Sequence, residues 1–172
     1  MKVGENMSIE TKNLAIRPFN LLDTEKVYKM SQEASMKAFL PDQVYESLEE
    51  TKEVIEFLMS KYGHQSIVDQ LPYVLGIELK ENNELIGHVG LSRIDKGIEI
   101  GYAIEKKYQG HNYATEAVKA MTNLALSNPL VNEIWAVIDL NNAASIRVLE
   151  KSDYEYVNKE KSKMIMKKEV SI

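Results

Sequence analysis

The sequence predicts a mixed α/β (α+β) fold: a mostly antiparallel central sheet of about six to seven strands with helices on both faces. Three observations carry this. Between residues 73 and 104 apolar residues recur with a period of two in three successive runs, as strands of a meander do. On either side of that region the apolar spacing turns helical. The last third alternates helix, short apolar run, helix and hairpin, the order in which strand-helix units cover a sheet.

Taken in order, residues 14–18 (LAIRP) alternate briefly and stop at a proline, as a first strand would. Asn20 or Asp23 can cap the next element, a short helix marked by Val27, Met30 and Ala34. The segment 36–46 (MKAFLPDQVYE) reads as an irregular aromatic loop, with Phe39, Leu40 and Tyr45 able to line a cleft or pack on the core. Ser47 to Glu50 spell a capping box that opens a second helix, striped by Leu48, Thr51, Ile55, Leu58 and Met59 and ended by Tyr62, Gly63 and His64. Residues 73–80, 85–94 and 98–104 are three strands turned at Asn82-Asn83 and Asp95-Lys96-Gly97. A helix follows from Asn112, then a buried strand at 134–138, a helix over about 142–151, and a closing hairpin from 154–157 and 164–166.

The 172 residues fit one domain over 1–172, with a core over about 14–167. Hydrophobic residues make up 44% and charged ones 27%, as in ordinary globular chains. The net charge of −5, with Lys and Arg scattered, speaks against nucleic acid and favours cationic partners or simple solubility. Without cysteine there is no disulfide framework, zinc thiolate site or thiol nucleophile. No apolar run approaches the ~18 residues of a membrane span, so a cytoplasmic protein that binds no membrane is expected.

The stretch 108–125, YQGHNYATEAVKAMTNLA, has two halves. Ala114, Ala117, Val118, Met121, Leu124 and Ala125 recur at helical spacing, giving one apolar face. Just before them, Gln109, Gly110, His111 and Asn112 form a small polar turn. Gly and Asn accept positive φ most readily. Such a turn can aim consecutive backbone N–H groups at one point at a helix N-terminus, which is an anion site. An ordinary capped turn into a core helix reads the same.

These residues, with IEIGYAI before them and NNAASIRVLEKSDY after the 134–138 strand, resemble the GCN5-related N-acetyltransferase (GNAT) superfamily, and within it the ribosomal-protein N-terminal acetyltransferase type. The resemblance covers residues 14–166. The family loop runs Gln or Arg, two residues, Gly, one residue, then Gly or Ala. Gln109, Asn112 and Ala114 occupy those places, so Asn112 stands where a glycine is usual. The second motif expects Asn, Ser three places on, and an apolar helix ending at Gly-Phe. Asn142 and Ser145 match it, while Asp153-Tyr154 stand for Gly-Phe.

The resemblance implies a GNAT-like sheet splayed between its fourth and fifth strands, acetyl-CoA as co-substrate and no metal. The acetyl group would pass directly to a primary amine, a protein N-terminal α-amine first. A polyamine or aminoglycoside-like acceptor, or a non-catalytic acyl-CoA-binding module, is the alternative. Either a monomer or a homodimer would serve. The backbone from His111 through Tyr113 and Ala114 to Thr115 would cradle the pyrophosphate. The backbone of Tyr102, Ala103 and Ile104 would pair with the pantetheine arm, with an N–H near Tyr102 serving the thioester oxygen. Asn142 would hold the pantetheine amide. Many relatives place a tyrosine seven residues after the motif Asn to protonate the leaving thiolate; here that place is Leu149, which leaves Ser145 as the donor. For the base, Glu99 stands opposite Ile98, Ile100 and Tyr102 by strand alternation, on the side an amine would enter, although a strand carboxylate also serves salt bridges. His88 and His64 are possible helpers.

Overall fold

The computed structural model describes residues 8–64 and 66–171. Among the described residues, eight strands form one sheet in the order β1-β2-β3-β4-β5-β6-β8-β7. They are β1 (Ile9–Glu10), β2 (Leu14–Arg17), β3 (Tyr73–Leu79), β4 (Glu84–Ile94), β5 (Gly97–Ile104), β6 (Glu133–Asp139), β7 (Glu155–Glu160) and β8 (Lys163–Glu169). The count exceeds the expected six to seven because two residues, Ile9 and Glu10, pair antiparallel with Ile16 and Ala15. A strand of that length carries no alternation to read.

Among the described residues, five α-helices cover the sheet: α1 (Thr24–Ser31), α2 (Ala34–Phe39), α3 (Leu48–Met59), α4 (Tyr113–Leu126) and α5 (Ala143–Lys151). The long helix α4 buries Ala117, Val118, Met121 and Ala125 against Leu75, Ile77, Val89, Ile100 and Ile134 in the main core. The opposite face of the sheet holds a smaller cluster of Phe19, Met30, Ile55 and Leu85 under α1 and α3. Among the described residues no helix is long and apolar enough to cross a membrane.

Three local expectations change. Residues 36–46 are irregular only in part: α2 runs to Phe39 and Pro41 opens a 3-10 turn, Pro41–Gln43, while Leu40 and Val44 to Glu46 are irregular. The earlier helix stops at Ser31, so Ala34 begins a new one. On α3, Thr51 and Ile55 are buried, whereas Leu48 and Met59 are exposed. The box at its start is half made, because the Ser47 hydroxyl accepts from the Glu50 N–H at 3.1 Å while the Glu50 carboxylate accepts from Glu46 rather than Ser47.

Strands β5 and β6 run parallel and share one pair, Glu99 with Trp135. Parallel neighbours need a crossover, which α4 supplies. Beyond that pair the strands part, as the expected splay requires. Strand β6 then finds its antiparallel partner in β8, from Glu133↔Glu169 to Asp139↔Lys163.

Candidate active site

The parting of β5 and β6 opens a cleft of about 480 Å³. Pairing of β5 with β4 is continuous from Gly97 to Ile104, so its side chains alternate without a break. Ile98, Ile100, Tyr102 and Ile104 face α4, while Glu99, Gly101 and Ala103 face the side covered by α1 to α3. Both sets reach the cleft, which therefore runs through the sheet. Its walls are the start of α4, the start of α5, the end of β6, and Met36, Phe39 and Leu40 at the end of α2.

At the start of α4, Gly110 has φ 85° and Asn112 has φ 63°, ψ 14°, both left-handed. Asn112 meets this demand because a short polar side chain tolerates that region. Its side chain does not cap the helix; Oδ1 accepts instead from Lys151 Nζ at 3.1 Å. The first intrahelical bond runs from Glu116 N–H to the Asn112 carbonyl at 3.0 Å, so the N–H groups of Tyr113, Ala114 and Thr115 precede any such bond. All three residues line the cleft. Gln109 donates through Nε2 to the Ile104 carbonyl at 2.9 Å and closes the turn. The His111 ring stacks on Tyr113 with centroids 5.5 Å apart, outside the cleft wall.

Glu116 anchors this end of α4. Its carboxylate accepts from the Asn13 backbone at 2.7 Å and the Asn13 amide at 2.8 Å, and also from the Thr11 hydroxyl. At the start of α5, Asn142 Oδ1 accepts from the Ser145 N–H at 3.2 Å, and the Tyr102 phenol donates to the Ser145 carbonyl at 3.0 Å. Asp153 takes φ 62° just past the helix, where the family has glycine, and Tyr154 is buried with its hydroxyl 2.7 Å from that of Thr122. Leu149 is fully buried in the cleft wall.

Glu99 lines the cleft on the side of α2. Burial pushes its carboxyl above the usual range, opposed by the Val137 N–H and the Lys163 charge. His88, held down to about 4 by burial, lines a neighbouring cavity of about 30 Å³ with Met36 and Ala103. His64 is exposed, with Nε2 3.3 Å from the Ser60 carbonyl oxygen. Neither ring reaches the cleft.

Glu99, Tyr102, Ala103, Ile104, Gln109, Gly110, Asn112, Tyr113, Ala114, Thr115, Asn142 and Ser145 thus come to one place. Sequence reasoning passed over Arg147 and Lys151. They stand four apart on α5 and both line the cleft, and their i,i+4 spacing after Asn142 was a usable signal. Met36, Asp139 and Lys163 also line it, brought there by the fold without a local sign. Unpaired N–H groups at a helix start, two cations across from them and an unpartnered strand edge fit a long, phosphorylated thioester lying between β5 and β6.

The family model of the acetyltransferase (GNAT) domain matches residues 13–155. The chain belongs to this family. It is a GNAT acetyltransferase enzyme. It is 27% identical over 147 residues to YnaD, an uncharacterized N-acetyltransferase of Bacillus subtilis (strain 168), covering 84% of this chain and 81% of that one. Its fold is shared with a GNAT-family acetyltransferase from Bacillus anthracis, TM-score 0.77 at 21% identity, covering 95% and 98% of the two chains. It is likewise shared with the ribosomal-protein-S5-alanine acetyltransferase from Vibrio fischeri, TM-score 0.73 at 18% identity, covering 95% and 96%.

Proposed function

We infer that this GNAT enzyme transfers the acetyl group of acetyl-CoA to the N-terminal α-amine of a protein or peptide; one structure of the same fold, from Vibrio fischeri, is named a ribosomal-protein-S5-alanine acetyltransferase. The charge of the cleft wall carries the reading. Its carboxylates are Glu99 and Asp139, against three cations, Arg147, Lys151 and Lys163. Asp139 is engaged by Lys163 at 3.6 Å and by the Asn141 N–H at 2.9 Å. That leaves Glu99 to meet an amine. A polyamine or aminoglycoside needs several carboxylates along its length, and this wall offers it Glu99 alone, since Arg147 and Lys151 are left to the phosphates of the co-substrate.

The α-amine also suits a single weak base. Its pKa lies near ~8, against ~10.4 for a lysine side chain, so far less proton removal is required near neutrality. Glu99, raised by its burial, is better matched to that proton than an ordinary carboxylate. The Tyr113 to Thr115 backbone with Arg147 and Lys151 would hold the phosphates of acetyl-CoA. Asn142 and the β5 edge would hold its pantetheine arm. Ser145, in the cleft wall, would give the leaving sulfur its proton. Bound acetyl-CoA supplies the activated acyl group.

Release of free thiol from acetyl-CoA, followed with peptides starting in Ala or Ser, with spermidine and with kanamycin, tests the reading. Thiol release with the peptides and not with the polycations is expected. Release only with the polycations, or with no acceptor while acetyl-CoA still binds, would replace it by one of the two alternatives.

A further inference from the structure

Among the described residues, Gly101 is the glycine that the fold does not use. Of the seven glycines described, three lie at left-handed φ and three are so crowded that a Cβ would meet another atom at 2.8 Å or less. Gly101 has neither constraint: no atom lies within 4 Å of an ideal Cβ built on it, and its φ is ordinary. Glycine in the interior of a strand weakens the strand and often marks a place where a ligand comes close. Here it sits in β5, between Glu99 and Ala103 on the face toward α2, paired with Gly90 of β4. It is exposed and forms part of the cleft wall.

We propose that Gly101 sets acceptor specificity: its missing side chain leaves the passage through which the carbon bearing the acceptor amine reaches the thioester. This rests on the acetyl-transfer reading above and adds the residue that selects among amines. The backbone of Tyr102 to Ile104 would hold the thioester arm along the β5 edge, and Glu99 stands two residues from Gly101 on the same face of the strand. The amine must cross between them. A methyl group at position 101 narrows the crossing, and a branched side chain closes it to any amine whose own carbon carries a substituent. Acetyl-CoA, which the start of α4 and the strand edge would hold, would not be obstructed.

The test uses two probes and two variants, Gly101→Ala and Gly101→Val. One probe is acetyl-CoA. The other is a conjugate in which the coenzyme A sulfur is joined through –CH2–CO– to the α-nitrogen of an alanine-initiated tetrapeptide. Calorimetric titration should give acetyl-CoA dissociation constants within ~3-fold of wild type for both variants. The conjugate should weaken ~10-fold or more for Val and less for Ala, the size of effect a blocked pocket gives. Thermal midpoints should hold or rise, because both residues favour a strand more than glycine does. Equal loss on both probes, loss on neither, or a variant that fails to fold would each overturn the proposal. A wild-type protein that binds acetyl-CoA but gains nothing from the peptide part would instead overturn the peptide-acceptor reading on which it stands.

Discussion

The Tyr102 phenol donates to the Ser145 backbone carbonyl at 3.0 Å, tying β5 to the first turn of α5 across the mouth of the splay. Burial pushes the phenol up to about 12, against the opposing pull of that bond, so it stays protonated and remains a donor through the working range. Tyr102→Phe keeps the ring and removes the tie. Stability should fall by about 1 kcal/mol, and acetyl-CoA should bind several-fold more weakly as the cleft loses its fixed width. Thermal unfolding and calorimetry check the two effects separately.

Glu99 is raised by burial. A carboxyl raised in the folded state binds its proton more tightly there than in the unfolded chain. Its contribution to stability is therefore lost as pH rises from the ordinary carboxylate pKa through the folded one. Glu99→Gln should then leave neutral-pH stability unchanged or improved while lowering kcat by ~10²-fold or more at constant acetyl-CoA affinity. The acid limb of the kcat/KM profile should lie above the ordinary carboxylate range in wild type and vanish in the variant. A change in kcat under ~3-fold would remove Glu99 from the proton path.

Asn142 and Ser145 should separate. Asn142→Ala removes the cap of α5 and should cost about 0.5–2 kcal/mol of stability, together with weaker acetyl-CoA binding. Ser145→Ala keeps the N–H given to Asn142 and the carbonyl that accepts from Tyr102, so stability should hold while turnover slows. If both variants lose only stability, the start of α5 is structural.

Glu116 shows the opposite pH behaviour to Glu99. Burial pushes its carboxyl up, but the bonds from the Asn13 backbone, Thr11 and the Asn13 amide outweigh it, helped by Lys12, and the net shift is down. Its stabilisation is present above the ordinary carboxylate pKa and lost as pH falls through the lower folded value. Glu116→Gln should reduce stability at neutral pH and flatten its decline on acidification, read by denaturant unfolding over a pH series.

What the sequence made legible was periodicity and local backbone demand. The meander, α4 and α5 announced themselves by spacing, and Asn112 marked a left-handed position because few residues tolerate one, whereas the left-handed φ of Asp153 appeared only in the structure. The two-residue strand β1 left no period to read. The segment at Met36 to Leu40 was misjudged because six residues of helix ending at a proline look like a loop. Asp139 and Lys163 come from β6 and β8 and reach Glu99 through the sheet order, while Met36 reaches it through the packing of α2. Gly101 looked like any strand glycine until the emptiness around it was visible.

The turn from Gln109 to Thr115 is proposed to seat the acetyl-CoA phosphates, and Asn112 is the residue at which that proposal is most directly tested. At φ 63° and ψ 14°, glycine should serve as well as asparagine, whereas a β-branched residue is strained by ~1–3 kcal/mol. Calorimetric titration of wild type, Asn112→Gly and Asn112→Val with acetyl-CoA measures this. Wild type and the Gly variant should bind within ~3-fold of each other, and the Val variant ~5- to 100-fold more weakly, the span that strain converts to. A Val variant that binds as tightly as wild type would contradict the assignment of this turn as the phosphate cradle.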